Sequence, residues 1–441
     1  MSPKLQPVRG THDILPEEFE KFHAVVTRAR ELATLYGFRE MATPIFEATE
    51  VFSRSMGETS DVVSKEMFTF QTKGEESVTL RPEFTAGIVR AFLSNGMQQH
   101  LPLKLFSTGS LFRYERPQKG RQRQFHQVNF EWLGDDSWEA DVELICLAGH
   151  LLFSLSGKKG CTLLINTLGD QESRARYREA LVGYLAPYTK ELSEDSQRRL
   201  ATNPLRILDS KSPQDKKIID GAPQITHYLN ESARKRFNTV HEALSQKEVP
   251  FFQSVKITPS LVRGLDYYTD TVFEFVAEAG ELGAQNTVLA GGRYDGLVEQ
   301  MGGKLTPAIG FAAGIERLLL LTHELKWSKL NDISIVVLPF EEIEPNVVLY
   351  IAASLRNRLL GWHLHTKRRC TVEIAWRGSV KKRMERAAQS DVTHLILLPP
   401  EEANRESCII RYMKIHEQQE IKIADLFDTD KLAKLLEIPT K

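Results

Sequence analysis

Phe112-Arg113-Tyr114-Glu115-Arg116-Pro117-Gln118-Lys119-Gly120-Arg121-Gln122-Arg123-Gln124-Phe125-His126-Gln127-Val128-Asn129-Phe130-Glu131 is the stretch from which the rest of the chain becomes legible. Ser110 to Glu115 and Phe125 to Leu133 alternate as strands do and flank a loop holding Pro117 and Gly120, which predicts an antiparallel hairpin with a long cationic tip. Arg113 and Glu115 are two apart on the outgoing strand, and Gln127 and Glu131 four apart on the return, so each pair shares one face of its strand. A strand face crowded with charge and amide either lies over a polar ligand or belongs to an edge hairpin with solvated charges. The residues of the hairpin by themselves leave both open.

Outward from the hairpin, the 441 residues predict two or three domains at about 150 residues each. The chain is 41% hydrophobic and 26% charged, ordinary globular composition, and no apolar run reaches the ~18 residues needed to span a bilayer, so no membrane role is expected. The first ten residues lack the apolar core of a secretion signal, and Cys146, Cys161, Cys370 and Cys408 form no CxxC pair. A reduced cytoplasm without structural zinc is the expectation. Because 57 basic residues balance 58 acidic ones, only local patches can speak for a nucleic-acid partner.

Pro16-Glu17-Glu18 opens a helix whose apolar positions, Phe19, Phe22, Val26, Ala29, Ala33 and Tyr36, recur at three-and-four spacing until Gly37. Phe38 to Phe46 reads as a strand that Pro44 confines to an edge or an interface. Strands over Glu66 to Phe70 and Ser77 to Arg81 precede a helix opened by Glu83, where a carboxylate complements the helix dipole. A helix over Asp141 to Leu155 and a buried strand over Cys161 to Asn166 follow. Between about Gln171 and Gln246, basic and acidic residues interleave at helical periods, which predicts an inserted helical module without a catalytic constellation of its own. Strands resume at Phe251 to Ile257, Thr271 to Val276, Asn286 to Leu289 and Ala308 to Phe311, and a helix at Gly314 to Thr322. Gly291-Gly292 at a strand end gives freedom for a close ligand approach or simply a turn. After a linker at Trp327 to Asp332, strands at Ile333 to Leu338, Trp362 to His365 and His394 to Leu398 alternate with helices at Val347 to Leu360 and Ser379 to Gln389, a small α/β domain. Within it, His363 to Arg386 holds eight basic residues, Lys367, Arg368, Arg369, Arg377, Lys381, Lys382, Arg383 and Arg386, against Glu373 and Glu385. A local charge of +6 is an electrostatic footprint for phosphate or a solvated basic helix, with Trp376 alongside as a stacking surface.

Arg113-x-Glu115, the basic loop and Arg123-Gln124-Phe125-His126-Gln127 resemble motif 2 of the class II aminoacyl-tRNA synthetases, in the form found among histidyl-tRNA synthetases. Five further stretches extend the resemblance along nearly the whole chain: Arg9 to Pro16, Thr79-Leu80-Arg81-Pro82-Glu83, Arg263-Gly264-Leu265-Asp266-Tyr267-Tyr268, Gly291 to Leu297, and Gly310 to Arg317. The resemblance implies an α+β fold in which an antiparallel sheet flanked by helices forms a catalytic core over 1–170 and 250–325. A helical insertion would occupy 171–249 and a C-terminal α/β anticodon-binding domain 332–441. It implies a histidine–tRNA ligase that activates L-histidine with ATP to histidyl-adenylate and pyrophosphate, then transfers histidine to the 3′ end of tRNA(His). Arg113 and Arg263 would be catalytic. Glu83, Phe84, Thr85, Arg113, Gln127, Glu131, Arg263, Tyr267, Tyr268 and Tyr294 would bind histidine; Arg113, Glu115, Arg121, Phe125 and Arg317 would bind ATP; and Arg116, Gln118, Arg123, Arg377, Lys381 and Lys382 would meet tRNA. ATP comes with Mg²⁺, and no dedicated protein metal site and no zinc are implied. The stretch through Pro44 resembles motif 1, which implies a homodimer. Phe84 departs from the family pattern, standing where many relatives carry glycine.

Three rival readings accompany this one. A non-catalytic paralogue such as the histidine-biosynthesis regulatory subunit shares the core, but intact Arg113, Arg263 and Arg317 and the C-terminal domain argue against it. A pure RNA-binding module leaves a motif set for an amino acid and ATP unexplained. A synthetase for another amino acid is opposed by the Arg263 to Tyr268 element.

Overall fold

The computed structural model describes residues 5–57, 60, 62–118, 120–157, 160–246, 251–277, 286–322, 333–360, 370–401 and 406–437. The chain forms two compact units, Met1–Leu325 and Lys326–Lys441. The expected linker at Trp327 to Asp332 lies outside the described residues, as do Lys119 and the expected strand at Trp362 to His365.

The strands of the first unit are, in chain order, β1 (Arg39–Glu40), β2 (Phe46–Ala48), β3 (Phe68–Gln71), β4 (Ser77–Leu80), β5 (Leu103–Phe112), β6 (Gln124–Leu133), β7 (Cys161–Thr167), β8 (Ser254–Ile257), β9 (Thr269–Ala277), β10 (Thr287–Arg293) and β11 (Ala308–Gly314). Its helices are α1 (Pro16–Leu35), α2 (Thr49–Met56), α3 (Thr85–Ser94), α4 (Trp138–Ser156), α5 (Gln171–Leu185), α6 (Glu194–Thr202), α7 (Pro213–Ile219), α8 (Glu231–Leu244), α9 (Leu297–Gln300) and α10 (Ile315–Leu321). Among the described residues, eight strands make one sheet in the order β1-β5-β6-β11-β10-β9-β7-β8. It is antiparallel except where β1 meets β5 and β8 meets β7. The fold class is thus α+β, as expected.

The hairpin β5–β6 sits inside this sheet between β1 and β11, so it is not an edge. Its outgoing strand starts earlier than the alternation suggested and ends at Phe112. Arg113 and Glu115 therefore lie in the loop rather than on a strand, although the Arg113 amide still donates to the Arg123 carbonyl (2.9 Å). The Arg9-Gly10 segment is what fixes the tip: the Arg123 amide donates to the Gly10 carbonyl (2.7 Å), and the Arg123 guanidinium stacks 3.8 Å from the Tyr114 ring centroid. A side chain at Gly10, whose φ is +88°, would strike the Arg123 stem at 2.7 Å.

Phe38 to Phe46 does not form one strand. Phe38 is buried against Phe130, β1 runs parallel to β5, and after Pro44 the chain enters a separate sheet of order β2-β4-β3. Proline ends one ladder and starts another, because it has no N–H to donate. On α1, Val26, Ala29 and Ala33 are buried as the spacing predicts, whereas Phe19 is exposed and Phe22 leaves the core to pack edge-on against His126. The helical segment α5 to α8 shares a continuous apolar cluster with the core: Tyr177, Leu181 and Leu205 belong to the same cluster as Phe84, Tyr267 and Tyr294.

In the second unit, β12 (Ile333–Pro339), α11 (Pro345–Leu359), β13 (Cys370–Ile374), α12 (Val380–Gln389), β14 (His394–Leu398), β15 (Ser407–Tyr412) and β16 (Glu417–Lys422) form a sheet of order β13-β12-β14-β15-β16. Alternation along β12 sends Ile333, Ile335 and Val337 to one apolar cluster with α11 and Val336 and Leu338 to another with Ala387 of α12. Burial on both faces explains the apolar runs Ile335 to Leu338 in β12 and Leu395 to Leu398 in β14.

Candidate active site

Alternation along β6 places Gln127, Asn129 and Glu131 on one face, at the wall of a cleft of about 1120 Å³. Glu131 is buried and accepts hydrogen bonds from Thr85 Oγ1 (2.5 Å), Asn129 Nδ2 (3.0 Å) and the Tyr294 hydroxyl. Burial pushes its carboxyl up to about 7, against the pull of those three donors toward the ionised form. Room for it comes from Gly310, directly opposite on β11, where a Cβ would lie 1.7 Å from Glu131 Oε2. Tyr267, Tyr268 and Tyr294 crowd beside it, with ring centroids 4.7 Å apart for the first two and 5.6 Å for Tyr267 and Tyr294. Burial raises all three hydroxyls, which keeps them protonated.

Glu83 is buried and accepts from the Thr85 and Ala86 amides (2.6 and 2.7 Å), so its carboxylate caps α3 as the dipole argument predicts. Both carboxylates line the same cleft, and burial is the main cause raising each. Phe84 puts its ring in the core beneath the Arg81 guanidinium, 4.5 Å from the ring centroid, and Arg81 is itself held by the Thr43 and Ser110 carbonyls. The bulk that departs from the family pattern thus packs under a structural arginine.

Farther along the cleft, the chemistry turns cationic. Arg113 donates Nε to the Pro82 carbonyl (3.0 Å) and lies 5.5 Å from the Phe125 ring centroid. Arg121 pairs with Glu115 at 2.8 Å, and Arg317 donates to the Thr287 carbonyl at 2.6 Å. Burial, with repulsion from Arg121 and Arg113, lowers the Arg317 pKa against the opposing pull of Glu115 and Glu274. Arg263 points at the cleft from its loop but is ion-paired with Glu274, which also accepts from Thr287 Oγ1 (2.9 Å). The acid nearest in sequence, Asp266, is instead bound by Asn203. Gly291 and Gly292 are needed for protein packing rather than for a ligand: Cβ atoms there would meet the Gly310 carbonyl at 2.3 Å and the Tyr268 ring at 2.9 Å. At Gly264 a Cβ would meet the Arg206 guanidinium only at 3.6 Å, an ordinary contact, so its close approach is not a steric requirement.

Alternation and motif order did not single out several residues that build this site. Asn129 touches Glu131, Glu274 holds Arg263, and Glu316 accepts from both the His126 amide (3.0 Å) and its ring Nδ1 (2.8 Å). Next to Tyr294 in the chain, Arg293 forms a fully buried pair with Asp141, joined by Arg236 and Thr271. The helical segment also lines the cleft, through Ser193, Asp195, Arg199, Arg206 and Lys211. Of the residues expected to meet tRNA, Arg116 and Gln118 are exposed at the hairpin tip, while Arg123 is half-buried and engaged in the packing just described. In the second unit Arg377, Lys381 and Lys382 are exposed beside Trp376. Arg383 is buried and donates to the Ala375 carbonyl (2.8 Å), so it drops out of the cationic surface; Lys367, Arg368 and Arg369 lie outside the described residues.

A family model described as histidyl-tRNA synthetase matches residues 10–318. Among curated relatives, the histidine–tRNA ligase of Gluconobacter oxydans (strain 621H) is 49% identical over 422 residues, covering 96% of this chain and 97% of that protein. That of Rhodospirillum rubrum is 47% identical over 424 residues, covering 96% and 97%. The crystal structure of apo S. aureus histidyl-tRNA synthetase superposes with a TM-score of 0.78 at 32% identity, covering 97% of this chain and all of that one. A Bacillus halodurans structure titled as an ATP phosphoribosyltransferase regulatory subunit/histidyl-tRNA synthetase shares the fold at 21% identity, with a TM-score of 0.62 over 90% of this chain.

Proposed function

Because this chain belongs to the histidyl-tRNA synthetase family and is a histidine–tRNA ligase, we propose that the cleft divides both half-reactions between its two ends. The observation that carries this reading is the joining of a buried acceptor pocket, Glu131 among three tyrosines, to a channel edged by Arg113, Arg121, Arg263 and Arg317. Imidazole is a ring with an N–H to donate, and the buried Glu131 carboxylate accepts it. Glu83 and Gln127 take the ammonium group, and Tyr267, Tyr268 and Tyr294 enclose the ring. An analogue without the N–H leaves one acceptor position of that carboxylate without a partner, the kind of polar mismatch that rejects analogues by roughly 10⁴–10⁵.

A carboxylate oxygen of histidine attacks the ATP α-phosphorus, and the bond to the bridging oxygen breaks to release pyrophosphate. The tRNA 3′-terminal ribose hydroxyl then attacks the activated carbonyl and AMP leaves. Neither step needs a protein nucleophile; both need in-line placement and fixed positive charge around the phosphate. Arg113 and Arg263 approach the α-phosphate from opposite walls, while Arg121 and Arg317 take the distal phosphates and Phe125 the base. For this, Arg263 shares its guanidinium between Glu274 and the ligand. Among the described residues no group of three or more His, Cys, Asp or Glu side chains is arranged to hold a metal ion. Glu115 and Glu274, each already beside an arginine, fit a Mg²⁺ that arrives on the ATP phosphates, where it neutralises charge, better than a resident ion.

The exposed Arg377, Lys381 and Lys382 suit the anticodon stem, and Arg116 and Gln118 the acceptor end. Exposed Phe46 and Phe70 on the small sheet, with Ile45 just before it, suit a homodimer. We place the enzyme in the cytoplasm, with its substrates. ATP–pyrophosphate exchange tested with each of the twenty amino acids should respond to histidine alone; exchange driven by another amino acid, or by none, would overturn the reading.

A further inference from the structure

The loop 263–268 carries Arg263 and two of the three pocket tyrosines; apart from the ion pair of Arg263 with Glu274, its polar grip comes from the helical segment. Arg174, in the first turn of α5, donates Nη1 to the Tyr268 carbonyl (2.8 Å) and Nη2 to the Asp266 carbonyl (3.1 Å). Asn203, just past α6, donates Nδ2 to the Asp266 carboxylate. The Arg206 guanidinium lies 3.6 Å from where a Cβ on Gly264 would stand. Upstream, Asn166 of β7 holds the Pro259 and Leu261 carbonyls, each at 3.0 Å, and downstream the chain enters β9. Between those ends, the backbone of the loop rests on Arg174.

We infer that Arg174 and Asn203 are positioning residues for the amino-acid pocket, acting through the 263–268 loop, so that the helical segment is a working part of the histidine site. A planar guanidinium reaches two carbonyls two residues apart with a rigid fork and thereby fixes the turn between them, which the freely rotating donors of an ammonium do less firmly. Asp266 meets the same clamp through its side chain, so loop shape is set at two successive points. Displacing a catalytic loop by about 1 Å can lower turnover on the order of 10²-fold. Because Tyr267 and Tyr268 face Glu131 while Arg263 faces the phosphate channel, slackening the clamp disturbs the tyrosine side first. The inference rests on reading the Glu131 end of the cleft as the histidine pocket.

The test uses the full chain with Arg174→Ala, Arg174→Lys and Asn203→Ala, measuring ATP–pyrophosphate exchange against both histidine and ATP, together with thermal melting with and without histidine. Arg174→Ala should raise KM for histidine roughly tenfold or more with KM for ATP unchanged, and histidine should raise its melting temperature less than that of the parent. Arg174→Lys, which keeps the charge and some of the bonding without the planar fork, should fall between the two, and Asn203→Ala should move in the same direction by less. If Arg174→Ala fails to fold, the other two decide. Unchanged histidine KM in folded variants overturns the inference, and so does an equal rise in KM for both substrates, which marks general damage. Absence of histidine-dependent exchange in the parent protein overturns instead the functional reading beneath it.

Discussion

Replacing Glu131 by Gln should stabilise this protein at pH 8 while abolishing histidine activation. The carboxyl has an ordinary value of 4.5 and is pushed up to about 7 by burial, so the folded chain holds on to its proton where the unfolded chain has released it. Below about pH 4.5 the group is protonated in both states and its stabilising contribution is fully present. As pH rises toward 7 the unfolded state ionises first, and that contribution is lost by the time the folded group ionises. A gap of roughly 2.5 pH units at ~1.36 kcal/mol each makes the loss about 3 kcal/mol. Glutamine keeps the shape without the charge: its oxygen can accept from Thr85 and Asn129, and its amide can donate to the Tyr294 oxygen once that hydroxyl turns. Urea melts of both proteins at pH 5 and pH 8 read the difference. The expectation is an advantage to Glu131→Gln below about 1 kcal/mol at pH 5 that grows toward about 3 kcal/mol at pH 8, with ATP–pyrophosphate exchange down by on the order of 10²-fold or more, the scale for one preorganised partner. A variant less stable than the parent at pH 8, or a difference that does not change with pH, would refute both the burial argument and the view that stability is given up here for recognition.

Arg263→Lys and Arg263→Ala should each slow adenylate formation in single-turnover measurements by on the order of 10²-fold or more, with smaller effects on transfer from preformed histidyl-adenylate; unchanged adenylate formation would leave Arg263 as a structural partner of Glu274 only. Gly310→Ala should abolish histidine-dependent exchange, because its methyl group falls 1.7 Å from Glu131 Oε2 and 2.8 Å from the Phe130 carbonyl, and a normally active variant would mean that the strands part more easily than their packing suggests. The double charge reversal Lys381→Glu with Lys382→Glu should weaken tRNA binding and flatten its salt dependence by about one unit of slope per lost phosphate contact, while amino-acid-dependent exchange is spared. Light scattering at micromolar concentration should give twice the 50.1 kDa chain mass, and a species of chain mass alone would remove the dimer.

Local pattern carried much of this protein. The strand-like alternation of Phe125 to Leu133 put Gln127 and Glu131 on one face before any partner was known, and proline and acids marked the start of α1 where it begins. The alternating burial of β12, which serves two helices at once, was legible as a plain apolar run. These features follow from the period of the backbone and from the chemistry of a few residues in reach of one another. What each buried charge would meet was decided only by the order of the sheet. Arg263 finds Glu274 because its loop folds back over β9, Glu131 finds Tyr294 because only β11 separates β6 from β10, and Asp141 finds Arg293 across 152 residues of chain. Arg174 reaches the tyrosine loop in the same way, from a helical segment whose sequence shows no constellation. Such contacts leave no periodic trace, since neither partner's neighbours in the chain differ from those of an ordinary surface charge. The pairing energy appears only when the fold removes water from both.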